Sequence, residues 1–411
     1  MVSTINDKPT VVGTDKISAY HWLMFGVCFF GNIMGGTAST LMSVYLPVLV
    51  KDLLGSNGPD DLGQVSAYIS ALYFVGWAIG GLFMGVIGDR IGRAKSLALS
   101  IAMFGLFTVL ISVVSSWEMV LVCRFLCGFG VGGMLVINNT LLSEMWPARS
   151  RAVFIGILSI GFPVGIFSSG AVNYTVSSWR EGFMVGLVPL ALGALAFWIL
   201  RESEVWKQSK TSNEGPTATQ SLKEHRSQLI NGSIIFGSML IGLWAVFSWV
   251  PTWVQSLLPS GSDGQRERGL SMMLLGAGGL SGGFVSGWVS NALGTRKAML
   301  LCFGVCFILS FLLFKVNNSF NTMTVVEIAM LSFMFGISQG LLAVYIPQLF
   351  PVSIRGMATG FCFNVGRFFT AAVVFFVGAL VTTLGGYGNS LFTFSFVFLL
   401  GFSILLMARK I

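Results

Sequence analysis

Two arginines, Arg124 and Arg367, lie deep inside long apolar stretches of the chain. A charged side chain at the centre of a lipid bilayer costs about 2.5 to 3.5 kcal/mol on insertion scales, so a protein that keeps one there usually needs its chemistry. The planar guanidinium matches the two oxygens of a carboxylate. No carboxylate of the sequence lies at the middle of an apolar stretch. The pattern predicts that one or both arginines bind a small organic anion, with a structural or gating role as the alternative.

Glu327 is the carboxylate that comes nearest to the middle of an apolar stretch. A proton-coupled carrier needs a titratable group that both sides can reach, and burial favours the neutral form of a carboxyl group. We therefore predict Glu327 as the proton carrier, with a water-facing position at the membrane surface as the alternative. The sequence offers no Ser/His/Asp set, no phosphate-binding loop and no metal-ligand cluster. We expect neither an enzyme nor a metal site nor a cofactor.

Membrane-spanning helices must position these residues. Apolar residues make up 54% of the 411-residue chain and charged residues only 10%, which leaves too little polar surface to cover a soluble protein. A helix needs about 20 apolar residues to cross the hydrocarbon layer. Twelve such stretches occur, at 20–47, 64–87, 95–115, 117–142, 152–175, 181–200, 228–256, 269–290, 297–315, 322–347, 356–384 and 388–408. The runs lack the alternation of a membrane β-barrel, so we predict an all-α membrane protein with twelve transmembrane helices.

Basic residues fall mainly in the segments on one side of these predicted spans. Because Lys and Arg are retained in the cytoplasm, the distribution predicts a multi-pass protein of the inner (cytoplasmic) membrane with both termini in the cytoplasm. The few basic residues on the other side include Arg266 and Arg268, which we place in the loop before the eighth span. Topology thus accounts for the net charge of +8. We expect membrane lipid as a partner and no nucleic acid.

A polar segment, 201–227, divides the spans into six and six. We interpret it as a cytoplasmic linker between an N-terminal bundle, 1–200, and a C-terminal bundle, 228–411. The bundles also repeat each other in sequence. The matching segments are 144–156 with 348–360 and 88–95 with 290–297. A duplicated six-helix unit predicts two pseudo-symmetric bundles with a substrate site between them, near the midplane of the membrane.

Several short segments carry a family resemblance. Gly88-Asp89-Arg90-Ile91-Gly92-Arg93, after the second span, resembles the signature loop of the major facilitator superfamily, and Arg124–Gly133 and Ser143–Arg151 are similar to the family's segments in and after the fourth span. Within the superfamily, the chain resembles the branch of metabolite, sialate and aromatic-acid proton symporters and their sugar-porter relatives. The segments similar to this branch are Glu202–Trp206, Trp249–Thr252 and Phe363–Arg367.

The resemblance implies alternating access, with helices 1, 4, 7 and 10 lining the cavity. Asn364 shares a helix face with Arg367 at a spacing of three residues. The predicted substrate contacts are Arg124, Arg367, Asn32, Asn138, Trp249, Gln339, Tyr345 and Asn364. For an aromatic residue, helix packing or a place in the interfacial belt is the alternative. In the family the arginine of the fourth helix is often bound to backbone carbonyls, which keeps a structural role open for Arg124.

Two departures from the branch limit what the resemblance says about the substrate. The acidic residue that aromatic-acid symporters carry in the first helix is absent from Phe29–Ile33. The Gln-rich segment of sugar porters is absent from the seventh helix. The resemblance therefore assigns neither an aromatic acid nor a sugar as the substrate of this chain.

The loop residues predict a gate at the cytoplasmic end. Asp89 can pair with basic residues and cap a neighbouring helix terminus, and Glu144 and Arg151 resemble the matching elements of the family's gate. The predicted gating residues are Gly88, Asp89, Arg90, Gly92, Arg93, Glu144 and Arg151. For Arg90 and Arg93, the alternative is that they only set the orientation of the chain in the membrane. Asp89 is therefore the informative residue of this set.

These observations predict a monomeric secondary transporter of a small organic anion, with a carboxylate favoured, by proton symport or facilitated diffusion. Three alternatives remain open. The first two are a facilitator or symporter of a neutral sugar and a drug efflux pump. The third is a non-transporting substrate sensor, which the short linker and tails disfavour.

Overall fold

The computed structural model describes residues 17–55, 59–147, 149–209, 225–259, 261–351 and 354–407. Within these ranges twelve helices are long and apolar enough to cross a membrane, and we number them α1 to α12. They are α1 (Ala19–Leu54), α2 (Pro59–Ile91), α3 (Arg93–Ile111), α4 (Trp117–Met145), α5 (Arg151–Thr175), α6 (Trp179–Ile199), α7 (Arg226–Ser256), α8 (Gln265–Leu293), α9 (Thr295–Val316), α10 (Thr322–Gln348), α11 (Arg355–Ala379) and α12 (Tyr387–Met407). The predicted all-α fold with twelve spans is confirmed, and the chain is a multi-pass membrane protein.

With twelve crossings, α1 begins and α12 ends at the same end of the bundle. We call this the terminal end, which holds Ala19 and Met407, and we call the opposite end, which holds Leu54 and Gln265, the distal end. Large apolar side chains are exposed on the outside of the helices, such as Trp198 at 84% and Phe284 at 66%. In a membrane, lipid covers these surfaces, because lipid tails rather than water solvate apolar side chains there.

The repeat seen in the sequence has a structural counterpart. Helices α5 and α11 begin at the aligned residues Arg151 and Arg355, and each is 25 residues long. The aligned glycines Gly92 and Gly294 separate α2 from α3 and α8 from α9, with φ of 112° and 79°. Such positive φ values suit glycine, which has no Cβ to clash. The sequence therefore repeats the same tight turn in both six-helix halves.

Residues 210–224 of the predicted linker lie outside the described residues. A short helix, Glu204–Ser209, follows α6 at the terminal end and begins the linker. The exact boundaries of the two bundles stay a prediction.

The glycine-rich helices pack closely, as their small residues predict. A Cβ on Gly132 of α4 would lie 2.1 Å from the carbonyl oxygen of Trp77 on α2, and one on Gly282 of α8 would lie 2.0 Å from that of Phe333 on α10. These backbones touch, which is how helices associate where lipid provides no hydrophobic drive. All six cysteines are buried and free.

The clearest error of the sequence analysis concerns Arg268. We predicted the eighth span from residue 269 and placed Arg268 in an exposed loop, but α8 begins at Gln265 and Arg268 is only 2% exposed. Gly264, with φ 63°, turns the chain directly into the helix. The first turn of α8 is too polar to be recognised as part of a span, yet it packs against the other half of the protein.

Other boundaries differ less. Helix α1 continues through Pro47 to Leu54, beyond the predicted limit of residue 47. Helix α11 ends at Ala379 rather than at residue 384, because the chain turns there through Gly385 and Gly386, both with positive φ.

The two halves meet mainly along three helix pairs, α5 with α8, α2 with α11, and α1 with α7, and α1 also contacts α8. Several of these contacts lie toward the distal end. Gln265 donates a hydrogen bond of 2.7 Å to the carbonyl oxygen of Asn173 at the end of α5, and the rings of Tyr68 and Phe375 are 5.3 Å apart. At mid-depth, aromatic side chains and Arg367 lie between the halves.

Candidate substrate site and gate

Arg367 lies at the centre of the 25-residue helix α11, and its side chain is partly exposed. Its Nη1 donates a hydrogen bond of 3.1 Å to Oδ1 of Asn364, one turn away. The guanidinium carbon lies 5.8 Å from the centre of the Trp77 ring, on α2 of the other half. Among the residues that the structure describes, Arg367 forms no ion pair with a carboxylate. A partly buried positive charge at mid-depth thus faces the interface between the halves.

Trp77, the ring next to Arg367, belongs to a group of four aromatic rings that we call the central aromatic cluster: Phe74, Trp77, Phe162 and Trp244. Trp244 of α7 makes edge contacts with Phe74 and Trp77, both at 5.1 Å between ring centres, and with Phe162 of α5 at 6.2 Å. Trp77 and Phe162 are 5.8 Å apart. Rings from both halves therefore meet at Trp77, which in turn neighbours Arg367. Aromatic edges and faces of this kind can hold a flat, unsaturated ligand.

Arg124 has a different environment, although it was predicted alongside Arg367. It is 3% exposed, and it donates to two backbone carbonyls of α1, those of Ala38 at 3.1 Å and Ser39 at 3.5 Å. Its guanidinium carbon lies 4.0 Å from the centre of the Tyr73 ring of α2, and the Tyr73 hydroxyl in turn contacts Oγ of Ser39. Arg124 thereby joins α4 to α1 and α2 inside one half.

The structure brings Asn32 and Asn138 together. Asn138 Nδ2 donates to Asn32 Oδ1 and to the carbonyl oxygen of Cys28, both at 3.1 Å, while Asn32 Nδ2 donates to that of Leu158 at 2.8 Å. Both side chains are buried. The pair links α1, α4 and α5, and Asn138 Oδ1 is left without a hydrogen-bond partner among the described residues.

The remaining predicted contacts are spread over the second half. Trp249 is fully buried and donates from Nε1 to the carbonyl oxygen of Val374 at 2.9 Å, so it packs α7 against α11. Tyr345 is buried near the terminal end of α10. Gln339, on the same helix, is partly buried, and its Nε2 has no hydrogen-bond partner in the described part of the chain. Asn364 is the fourth of these predicted contacts in the second half, and of the four it alone contacts Arg367.

At the terminal end the predicted gating residues form an ion-pair cluster. Arg93 pairs with Asp89 one turn away and, through Nε, with Oε1 of Glu144 on α4 at 3.2 Å. Arg151, at the start of α5, donates from Nε and Nη2 to the carbonyl oxygen of Trp146 at 3.1 and 3.0 Å. These contacts tie the loop after α2 to the ends of α4 and α5. Whether they open and close during transport stays a prediction.

Glu202, which begins the segment similar to the symporter branch, caps α3. Its carboxylate oxygens accept hydrogen bonds of 3.1 Å from the backbone N–H groups of Ala94 and Lys95. A negative charge at a helix N-terminus is favourable because the N–H groups there lack partners. Trp206 Nε1 donates to the carbonyl oxygen of Asp89 at 2.8 Å. The cap that we expected Asp89 to provide is supplied to α3 by Glu202, which holds the start of the linker against the loop.

The other predicted gating residues lie around this cluster. Arg90 is exposed. Gly88 packs against α4, where a Cβ would lie 2.6 Å from Cδ1 of Ile137. At Gly92 a Cβ would lie 2.3 Å from the carboxyl carbon of Glu202. Gly92 thus meets two demands, a positive φ and room for the Glu202 carboxylate.

We expect Gly92→Ala to lower the apparent melting temperature more than Gly294→Ala does. Both replacements place an alanine at positive φ, but nothing lies within 4 Å of a Cβ at Gly294. Backbone strain alone costs about 1 to 3 kcal/mol, and Gly92→Ala also displaces the Glu202 cap. Thermal unfolding of the detergent-purified variants checks this, and equal falls in melting temperature would rule out the carboxylate clash.

Glu327, the predicted proton carrier, is 4% exposed and lies in the second turn of α10, near the distal end. Asn317 Nδ2 donates a hydrogen bond of 2.5 Å to its Oε2. The same Asn317 nitrogen also donates to the carbonyl oxygens of Leu312 and Leu313. Among the described residues, Glu327 thus has a neutral amide as its hydrogen-bond partner and no ion pair.

Sequence analysis did not single out Phe74, Trp77 or Phe162 for the site. The chain contains 36 Phe and 11 Trp, so an aromatic residue in a span carries little information by itself. Arg268 did leave a signal in the sequence, a charged residue next to an apolar run. We assigned that residue to the loop.

A family model described as Major Facilitator Superfamily matches residues 28–373. The cis,cis-muconate transport protein of Acinetobacter baylyi is 26% identical to this chain over 384 residues, which cover 89% of each protein. The sialic acid transporter NanX of Escherichia coli is 28% identical over 401 residues, which cover 92% of each. The crystal structure of a D-xylose-proton symporter has a TM-score of 0.78 at 16% identity and covers 95% of this chain and 98% of its own. At that identity the last similarity concerns the fold alone.

Proposed function

This chain belongs to the major facilitator superfamily of transporters, and from that membership we propose that it carries a small organic carboxylate across the cytoplasmic membrane by alternating access. The observation that carries the proposal is Arg367, a partly buried guanidinium at mid-depth without an acidic partner among the described residues. A bound carboxylate supplies the missing negative charge, and the guanidinium can donate to both of its oxygens. Relatives that carry muconate and sialic acid support an acidic substrate.

The central aromatic cluster narrows the class of acid. Trp244 comes from the second half, whereas Phe74, Trp77 and Phe162 come from the first. A flat acid bound to Arg367 would therefore contact both halves at once, which is what a substrate must do if its binding is to favour closure around it. We propose a planar, unsaturated carboxylate as the preferred substrate. Asn364, hydrogen-bonded to Arg367, holds the guanidinium in place.

We propose that Arg124 supports the fold and does not contact the substrate. Two α1 carbonyls and the Tyr73 ring already occupy its guanidinium. It fixes α1 and α2 relative to α4, and α2 carries Trp77 of the central aromatic cluster. Asn32 and Asn138 support the same half through hydrogen bonds to each other and to neighbouring helices.

The orientation, location and coupling are further parts of the proposal. The basic segments support placing the terminal end, and both chain termini, in the cytoplasm. We propose a monomer without catalytic activity, coupled to protons through Glu327. A protonated Glu327 would be neutral and free to move with its helix, whereas the ionised form holds the Asn317 amide more strongly.

Glu327→Gln tests the coupling. We expect this variant to lose accumulation of the acid driven by an inward proton gradient in proteoliposomes, yet to keep exchange of labelled for unlabelled acid, because glutamine resembles the protonated carboxyl group but cannot release a proton. Glu118→Gln is the matched control, since Glu118 is exposed at the distal start of α4. Wild-type accumulation by Glu327→Gln would exclude Glu327 as the coupling group.

The same proteoliposomes test the substrate class. A panel of labelled unsaturated acids, saturated acids and hexoses, each with and without the gradient, should give accumulation of unsaturated acids. Equilibration of a neutral hexose, indifferent to the gradient and unaffected by the acids, would contradict the proposed function and favour the sugar facilitator.

A further inference from the structure

Arg268 is a buried arginine that binds across the two halves of the protein. It lies in the first turn of α8 and is 2% exposed. Its Nε donates a hydrogen bond of 2.9 Å to the carbonyl oxygen of Val44 on α1. Its Nη1 donates to the carbonyl oxygen of Asp263 at 2.7 Å and contacts Oε1 of Gln255. One guanidinium thus connects α1 of the first half with α7, α8 and the loop between them in the second.

The surroundings of Arg268 are built to keep it in place. Gln255 Nε2 donates to the carbonyl oxygen of Ser262 at 3.0 Å, which folds the loop over the start of α8. At Gly264, with φ 63°, a Cβ would lie 2.2 Å from Oε1 of Gln255. The loop therefore fits around the Gln255 side chain, and Gln255 in turn holds the Arg268 guanidinium. A solvated surface arginine needs no such supports.

A second set of contacts lies beside this bond. A Cβ on Gly170 of α5 would lie 2.5 Å from the carbonyl oxygen of Gly269 of α8, and one on Gly269 would lie 2.8 Å from that of Gly170. The first turns of α8 therefore touch the backbone of α5 while Arg268 reaches α1. On α1, Pro47 lies three residues beyond Val44 and lacks the N–H that would bond the Ser43 carbonyl, which weakens the helix at this turn.

We propose that Arg268 is the latch of the distal gate: its bond to the Val44 carbonyl keeps the distal ends of the two halves together in the conformation described here. Alternating access requires these ends to separate when the site opens to the distal side. The described part of the chain gives Arg268 only neutral hydrogen-bond acceptors within reach and no ion pair. Its bonds can therefore break without leaving an uncompensated carboxylate in the bilayer. The proposal rests on alternating access and not on the identity of the substrate.

Distances between paired spin labels test the latch without any substrate. Lys51 and Asn318 are exposed at the distal ends of the two halves, and Arg149 and Lys297 are exposed at the terminal ends, so each pair can be replaced by cysteines and labelled. The native cysteines are buried. We expect Arg268→Gln to raise the population with a long distal distance about tenfold, the effect of losing one hydrogen bond from a charged donor. The terminal distance should shorten in the same population.

Arg266→Gln is the matched control, because it removes the same charge from the same helix turn, and Arg266 is exposed, with a ring contact of 5.9 Å to Tyr174 of α5. Unchanged distal distances in Arg268→Gln, or an equal shift in Arg266→Gln, would overturn the proposal. If Arg268→Gln does not fold, Gln255→Met decides, since it removes one of the groups that hold the guanidinium in position for its bond to Val44 while leaving Arg268 present. A shift in the same direction supports the latch, and wild-type distances overturn it. Failure of organic-acid uptake would leave this result intact, which separates the latch from the proposed function.

Discussion

Replacing Arg367 by glutamine should reduce kcat/KM for uptake of the transported acid about 30-fold or more. Removing one partner of a buried, hydrogen-bonded charge pair costs about 2 to 5 kcal/mol, and about 1.4 kcal/mol corresponds to a factor of ten. Arg367→Lys keeps the charge but not the planar pair of donors, so its loss should be intermediate. Initial rates of uptake into proteoliposomes, across a range of acid concentrations, measure both variants.

Arg90→Gln is the control for this result. It removes a charge from an exposed position at the terminal end, and it should leave kcat/KM within about twofold, as surface changes have small effects. Uptake by Arg367→Gln at the wild-type rate, in protein that is folded, would show that the acid does not bind this guanidinium. The proposed site would then need another source of positive charge.

Replacing Arg124 by alanine should have the opposite profile, a large loss of stability with little change in substrate preference. The change removes two hydrogen bonds to α1, a cation–π contact with Tyr73 and the packing of the side chain beneath that ring. Together these contribute about 2 to 4 kcal/mol on typical values for membrane interiors and desolvated cation–π pairs. The apparent melting temperature in detergent should fall well below that of Tyr73→Phe, which keeps the ring.

The relative uptake of different acids gives the second half of that test. In the folded fraction of Arg124→Ala, the ranking of acids and their KM values should remain close to wild type. A variant that melts like the wild type but no longer prefers acids over neutral analogues would assign Arg124 to the substrate site, as first predicted from its place in a span.

The helices were largely predictable because a membrane imposes a simple requirement on each of them. A run of apolar residues of sufficient length is visible in the sequence, and eleven of the twelve spans need nothing more. Helix α8 is the exception at its start, since Gln265–Arg268 reads as a loop. Its burial depends on Val44, which lies far away in the chain. A local hydropathy pattern cannot register a partner that only the fold supplies.

The same reason separates Arg124 from Arg367. Both look alike in sequence, each a single arginine in an apolar run. Arg124 meets carbonyl groups of α1, whereas Arg367 faces the interface between the halves beside Trp77. Backbone carbonyls are present in every helix and leave no mark in the sequence, so the apolar pattern alone could not separate the two arginines. The family resemblance did keep a structural role open for Arg124.

The ion-pair cluster at the terminal end was predictable through its motif, whereas its details were less so. Asp89 was expected to pair with a basic residue, and it pairs with Arg93 across the Gly92 turn that separates α2 from α3. The role of Glu202 as the cap of α3 could not be predicted from spacing, because Glu202 comes from a segment after α6 and meets α3 at its N-terminus. Its place is explained by the vacant N–H groups there and by the missing side chain at Gly92.

The most direct test of the account is equilibrium binding of a matched ligand pair to the purified protein: a transported acid and its primary amide, which has the same shape without the charge. Isothermal titration of the wild type and of Arg367→Gln with both ligands completes a cycle. The account predicts that the wild type binds the acid at least about tenfold more tightly than the amide, and that Arg367→Gln loses this preference. Equal binding of acid and amide by the wild type, or a preference that survives in Arg367→Gln, would contradict it.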